Sequence, residues 1–249
     1  MARPAFSRRS FLHKGLLASA AALAAPGLTQ ALAAGPSVQA PTPTQPPEAD
    51  DGAKLPVVFL IGTLHSTAVH QQVERLLKGK ASVISPATNC GNSLDVLKNI
   101  PGWIKQYNPD LVHISTGFED VRSIYYGSDD RMVPRSFYKR NLFQIIDLIY
   151  GVSDKAVPMW ATITPIDDDR LVEAKAKQRD WTAFNDDVLL YNREAAKICR
   201  RMKARVNDLY GTVLDNGAQA LLAPNGYDLN GKGVTVVAQQ VATSIESYL

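Results

Sequence analysis

Three short stretches of this chain carry side chains of the kind that make and break acyl bonds. Thr63, His65 and Ser66 follow the apolar run Val57–Ile61, Glu119 and Asp120 follow Leu111–Ser115, and Asn225 and Asp228 lie in the polar stretch 224–231. A serine hydroxyl attacks a carbonyl when an imidazole takes its proton and a carboxylate steadies that imidazole. His65, Ser66 and Asp228 contain those three group types, which makes them the candidate catalytic residues. Thr63, Asn89, Glu119, Asp120 and Asn225 offer hydrogen bonds instead, a chemistry suited to holding a ligand rich in hydroxyls or carbonyls. Two other arrangements use the same residues. His65, Glu119 and Asp228 could bind a divalent cation, and Glu119 with Asp228 could act as a glycosidase carboxylate pair. Adjacent residues present their side chains poorly to each other, and Ser66 is equally placed to cap a helix starting near Ala68.

These residues need a scaffold that gathers them. From Leu55 onward, apolar runs alternate with helical patterns, the signature of a parallel sheet covered by helices on both faces. Strands are expected at Val57–Ile61, Ala81–Ser85, Leu111–Ser115 and Val157–Ile163, with a short fifth at Ala220–Leu222. Helices are expected at Ala68–Lys78, Tyr138–Tyr150, Asp180–Tyr210 and Val234–Leu249, and at Leu94–Tyr107 with a break at Pro101-Gly102. Five such strands make a flavodoxin-like, three-layer α/β/α sandwich, whose polar loops meet at the carboxyl edge of the sheet. The stretch Gly117–Pro134 is the expected lid or partner surface.

The 249 residues, 45% hydrophobic and 20% charged, suffice for one domain with a sizeable core. Residues 1–33 read as an export signal: Ser7-Arg8-Arg9-Ser10-Phe11-Leu12, a soft apolar stretch, then Ala31-Leu32-Ala33 before the cleavage point. The paired arginines point to twin-arginine export and a periplasmic or secreted protein. Residues 34–54 form a Pro-rich tether, and residues 55–249 form the domain. The signal holds four basic residues and no acidic one, so of 27 basic residues 23 remain against 24 acids, a net charge of −1. That balance gives no case for nucleic acid, and no membrane span is expected in the mature protein. Cys90 and Cys199 sit in unlike contexts without CxxC spacing, so neither a metal cage nor a cofactor is called for. His70 reads as a surface residue of the first helix and His113 as a core residue. Asp167–Asp169 reads as a solvated acidic loop or helix cap. Trp103, Trp160 and Trp181 read as packing residues, with Trp181 or Tyr125-Tyr126 able to line a cleft.

Order and spacing of the loops resemble the SGNH (GDSL) hydrolase family over essentially all of residues 55–249. Asn108-Pro109-Asp110-Leu111-Val112 running into Gly117 and Asp120 is similar to its third block, and Trp160–Pro165 to its fourth strand and turn. Tyr191-Asn192 and Ile198–Tyr210 resemble its long helix; Asn225–Asn230 with Gly233 and Ala238 resembles its last block. The resemblance implies acyl-ester chemistry, with a serine in the first loop and an Asp-x-x-His pair in the last. It also implies an oxyanion hole from the serine amide, a second-loop glycine and a third-loop asparagine.

At those positions this chain departs from the pattern. Leu64 stands where the nucleophile belongs, Ala87 at or near the glycine, Glu119 at the asparagine, Asn225 at the aspartate and Asp228 at the histidine. Leucine cannot attack, an amide cannot balance an imidazolium, and a glutamate beside an oxyanion opposes its charge. The expectation is an exported SGNH-like protein that binds a glycan or acyl-ester ligand, or an envelope protein partner, without hydrolysing it. The alternative is an esterase or acyltransferase with a site rebuilt around His65, Ser66 and Asp228.

Overall fold

The computed structural model describes residues 54–62, 67–86 and 89–249. The expected export signal, nearly all of the expected tether, and Thr63, Leu64, His65, Ser66, Ala87 and Thr88 lie outside the described residues.

Two apolar faces on one sheet decide the architecture. In β1 (Val57–Gly62), Phe59 and Ile61 point into one core while Val58 and Leu60 point into the other, as a strand's two-residue period requires. The pattern recurs in β3 (Leu111–Ser115), where Val112 and Ile114 oppose Leu111, and in β4 (Val157–Ala161), where Trp160 opposes Met159 and Ala161. A sheet apolar on both sides must be covered on both. With β2 (Ser82–Ile84) and β5 (Arg205–Asn207), the order is β2-β1-β3-β4-β5, all parallel. This is the expected three-layer sandwich in flavodoxin-like order.

One face is covered by α2 (Ser93–Tyr107), α4 (Arg135–Val152) and α6 (Asn185–Met202). The other carries α1 (Thr67–Leu76), α7 (Leu209–Asp215), α8 (Ala218–Leu221) and α9 (Gly231–Glu246). Two short helices, α3 (Phe118–Val121) and α5 (Asp168–Lys175), sit in the connections near the carboxyl edge. No described helix is long and apolar enough to cross a membrane.

Two expectations are corrected here. The fifth strand is Arg205–Asn207 and not Ala220–Leu222, most of which forms α8. Its three residues hide inside the expected helix over 180–210, because Arg205 and Val206 are exposed and only Asn207 turns inward. Helix α2 runs unbroken through Pro101. Buried Val96, Ile100 and Ile104 hold it against the core on either side of the missing N–H. The stretch 117–134, expected as a lid or partner surface, is anchored to its surroundings. Ser123 bridges Arg131, the Ser123 amide donates to the Thr182 carbonyl at 2.7 Å, and Arg131 makes a buried 2.7 Å ion pair with Asp187.

Because packing retains α2 despite Pro101, the proline is a strain that substitution should relieve. Pro101→Ala restores a donor and removes the ring clash, and chemical denaturation should show a gain of about 1–3 kcal/mol. A loss of stability would show that the proline ring itself is needed for packing.

Candidate functional site

The carboxyl ends of β1, β3 and β4 are laced together before any functional group is added. The Cys90 amide donates to the Gly62 carbonyl at 3.1 Å, and Thr116 Oγ1 donates to the Gly91 carbonyl at 3.2 Å. Asn192 of α6 clamps the chain beyond β4, accepting from the Ile163 amide at 2.8 Å and donating to its carbonyl at 2.9 Å. Asn89 is exposed and its Oδ1 accepts from the Gly91 amide at 3.1 Å, so it shapes its own turn.

Asp120 is inside the protein, fully buried, rather than on the ligand-facing rim. Both its oxygens accept from the Ser93 amide, at 2.9 and 3.2 Å, and one also accepts from the Ser93 hydroxyl. Asn141 Nδ2 donates to that hydroxyl at 3.0 Å. One carboxylate therefore ties the start of α2 to α3 and, through Ser93, to α4. Burial pushes its pKa up to about 6, against the pull of the Ser93 bonds. Its neighbour Glu119 is ion-paired with Arg122 one helical turn on.

The last loop is organised by Asn225. Its Oδ1 accepts from the amides of Tyr227 and Asp228 at 3.3 and 3.1 Å, and its Nδ2 donates to Asp228 Oδ2 at 2.7 Å. Gly226 sits at φ 80°, where a Cβ would lie 2.6 Å from the Asp167 carbonyl oxygen. That carbon-free approach lets the Asp167 amide donate to the Gly226 carbonyl at 2.8 Å, docking the loop onto α5. Asp167 itself caps α5, in line with the helix-cap reading of the acidic run.

Beside this loop stands an aromatic cluster. Phe118 and Tyr227 stack at 5.4 Å, and Trp181 meets both edge-on at 5.8 and 5.3 Å. Two cations lie over the Trp181 ring, Lys175 Nζ at 4.1 Å and the Arg122 guanidinium at 4.3 Å from its centre. Lys175 is 7% exposed and also donates to Gln178 and Asp180. Sequence reasoning reached Trp181 but missed Phe118, Tyr227 and Lys175, which come from three separate segments with no shared period.

Beneath the cluster a cavity of about 70 Å³ runs between the sheet and the α1/α9 layer. His70 of α1 and His113 of β3 both line it. The surface reading of His70 is corrected: its Nε2 is buried without a partner, and Nδ1 lies 3.3 Å from Ser85 Oγ. Its spacing to Val73 and Leu77 places it on the inward stripe, a signal the sequence did contain. His113 is 1% exposed, as a core residue should be. Burial lowers the pKa of His70 to about 4 and of His113 to about 3.

Cys90 and Cys199 are both buried and not joined to each other, and burial raises their thiols to about 11 and about 12. Among the described residues no group of three His, Cys, Asp or Glu could hold a metal ion. Thr63, His65 and Ser66 lie outside the described residues. Asn225 and Asp228 are brought together, Glu119 stands beside Arg122, and Asp120 is committed to the core.

No protein-family model and no curated protein matches this chain in sequence. Solved structures do match in shape. A lipase/acylhydrolase from Enterococcus faecalis superposes with a TM-score of 0.61 at 18% identity, covering 78% of this chain and 97% of that one. A GDSL-like lipase from Bacteroides thetaiotaomicron gives 0.57 at 17% identity, covering 78% and 89%. An acetyl xylan esterase gives 0.58 at 15% identity, covering 76% and 99%. The chain thus has an SGNH-hydrolase-like fold, as its loop order suggested.

Buried His113 and half-buried His70 make stability depend on pH. Unfolded, each binds a proton near pH 6.5; folded, neither does until about pH 4 or 3, so their stabilising contribution is complete above pH 6.5 and falls as pH drops. Asp120 and Asp168, both raised to about 6 by burial, act the opposite way between their ordinary value and pH 6. A His113→Asn variant retains the aspartates, so comparing it with wild type isolates the ring. Between pH 5 and 6 the wild-type slope of unfolding free energy should exceed the variant's by about 1.4 kcal/mol per pH unit. Equal slopes would mean that His113 is protonated in the folded protein.

Proposed function

We propose that this is an exported envelope protein that binds, rather than hydrolyses, an acyl-bearing ligand at the carboxyl edge of an SGNH-like domain. A glycan carrying ester groups fits that edge best, because aromatic faces pack on sugar rings while carboxylates and amides bond their hydroxyls. The exported location rests on the signal-like residues 1–33.

The observation that carries the reading is the 2.7 Å bond from the Asn225 amide to the Asp228 carboxylate. It occupies the place where the resemblance calls for an aspartate orienting a histidine. An amide there has no charge to balance an imidazolium, and a carboxylate bonded to it is no substitute for the imidazole base. Glu119, paired with Arg122, stands where an oxyanion-hole asparagine would be, and Leu64 holds the nucleophile position. The acetyl xylan esterase among the similar folds supports an acetylated carbohydrate as the first ligand to try.

The test compares mature protein with a Leu64→Ser/Asn225→Asp/Asp228→His triple variant on p-nitrophenyl acetate and acetylated xylo-oligosaccharides. Wild type should show no turnover above background, and calorimetry should show that it binds the acetylated oligosaccharide; the triple variant should gain measurable hydrolysis. Wild-type turnover lost in Ser66→Ala would overturn the reading in favour of the rebuilt site.

A further inference from the structure

The described chain begins at Lys54, and Lys54 lies on the rim of a groove at the amino end of the sheet. Leu55, Val57, Ala81 and Val83 give the groove an apolar lining. Gln71, Glu74, Arg75 and Lys78 line it from α1 and the turn after it, at the spacing of one helical face. Its volume of about 650 Å³ is that of a site able to enclose a ligand, roughly 300–1,000 Å³.

Two features suit this groove to a length of polypeptide. The first is an open strand edge. β2 is the end strand, and its Ser82 amide donates to the Pro56 carbonyl at 2.9 Å. Alternation along the ladder therefore turns the Val83 N–H and C=O away from β1, toward a side that no described strand meets. Proteins cover such edges, because an open one pairs with other chains. The second feature is charge. Lys54, Arg75 and Lys78 outnumber Glu74 on the rim, and all four are exposed. Neither Arg75 nor Lys78 forms an ion pair with another described residue.

The chain that leads into Lys54 has the complementary character. Residues 34–53 carry Glu48, Asp50 and Asp51 and no basic residue. The face from Gln71 to Lys78 is about 10 Å long at roughly 1.5 Å per residue. Six residues separate Glu48 from Lys54, an extended reach of about 20 Å, so all three acids can lie beside Arg75 and Lys78. Pro46-Pro47 favour an extended approach, which reduces the entropy lost on docking. Exposed ion pairs are individually weak, so a separate acidic peptide would bind poorly. Covalent attachment supplies an effective concentration of about millimolar order, which favours the chain's own segment over a foreign one.

We propose that Glu48–Ala53 dock along α1 with their carboxylates toward Arg75 and Lys78, and cover the β2 edge at Val83. This clasp shortens the free part of the tether to the residues before Glu48 and shields the sheet from edge-to-edge pairing. It is independent of whatever the carboxyl edge binds.

Hydrogen exchange of the Val83 amide in the mature protein reads the clasp directly. Glu48→Gln/Asp50→Asn/Asp51→Asn removes the acids, and Arg75→Glu/Lys78→Glu reverses their partners. At low ionic strength the wild-type amide should exchange about tenfold more slowly than in either variant. The difference should shrink near 1 M salt, where the screening length is ~3 Å. Adding Glu48→Lys/Asp50→Lys/Asp51→Lys to Arg75→Glu/Lys78→Glu should restore the slow exchange, which mere disturbance of α1 would not allow. Equal exchange in wild type and both variants, or no restoration by the double reversal, would overturn the clasp. Protection that grows with protein concentration would assign the groove to a second copy's tether and overturn the intramolecular contact.

Discussion

Burying the Asp120 carboxylate against the first amide of α2 commits three helices and two loops to one arrangement. A carboxylate removed from water must be met by donors, and here the Ser93 amide and hydroxyl meet it while Asn141 supports the hydroxyl. The loop after β2 is thereby locked to the loop after β3. Phe118 and Glu119, just before Asp120 on the same short helix, are fixed as a consequence: one stacks with Tyr227 and the other pairs with Arg122. The shape of the carboxyl edge follows from a polar contact that never touches a ligand. A residue that looks from its position like a binding group is a strut.

The fold was largely legible because alternation within strands and apolar stripes on helices report burial directly. Val58 against Phe59 and Val112 against Leu111 announce a sheet covered twice, and the loop spacing carried the topology. What stayed hidden was hidden for physical reasons. Strand β5 has only three residues, two of them exposed, and no alternation can be read from so few. Helix α2 survives Pro101 because tertiary packing outweighs a local penalty. At the site, Asn225 and Asp228 could be paired from their spacing alone. The Phe118–Trp181–Tyr227 cluster could not, since it exists only after α3, the α5–α6 connection and the last loop converge.

Two histidines show how burial changes the meaning of a residue type. His113 and His70 are the only described histidines, and on chemistry alone they are natural bases. Inside the sheet–helix interface burial lowers their pKa values, and Asn207 Nδ2 stands 3.2 Å from His113 Nε2. That burial works against proton abstraction, because a base needs an available lone pair at the reacting atom. The same distinction runs through the last loop, where Asn225 and Asp228 bond to each other in place of an acid–base pair. The Asn225–Asp228 bond is what supports the proposal of binding without cleavage.

The most direct measurement of that claim is labelling of the mature wild-type protein with an alkyl fluorophosphonate, read by intact-mass spectrometry. Such reagents phosphonylate a serine only when a neighbouring base activates it. The account predicts no covalent adduct after prolonged exposure, with the unmodified mass retained. A stoichiometric adduct mapped to Ser66 would contradict it and establish a working nucleophile at the end of the first strand.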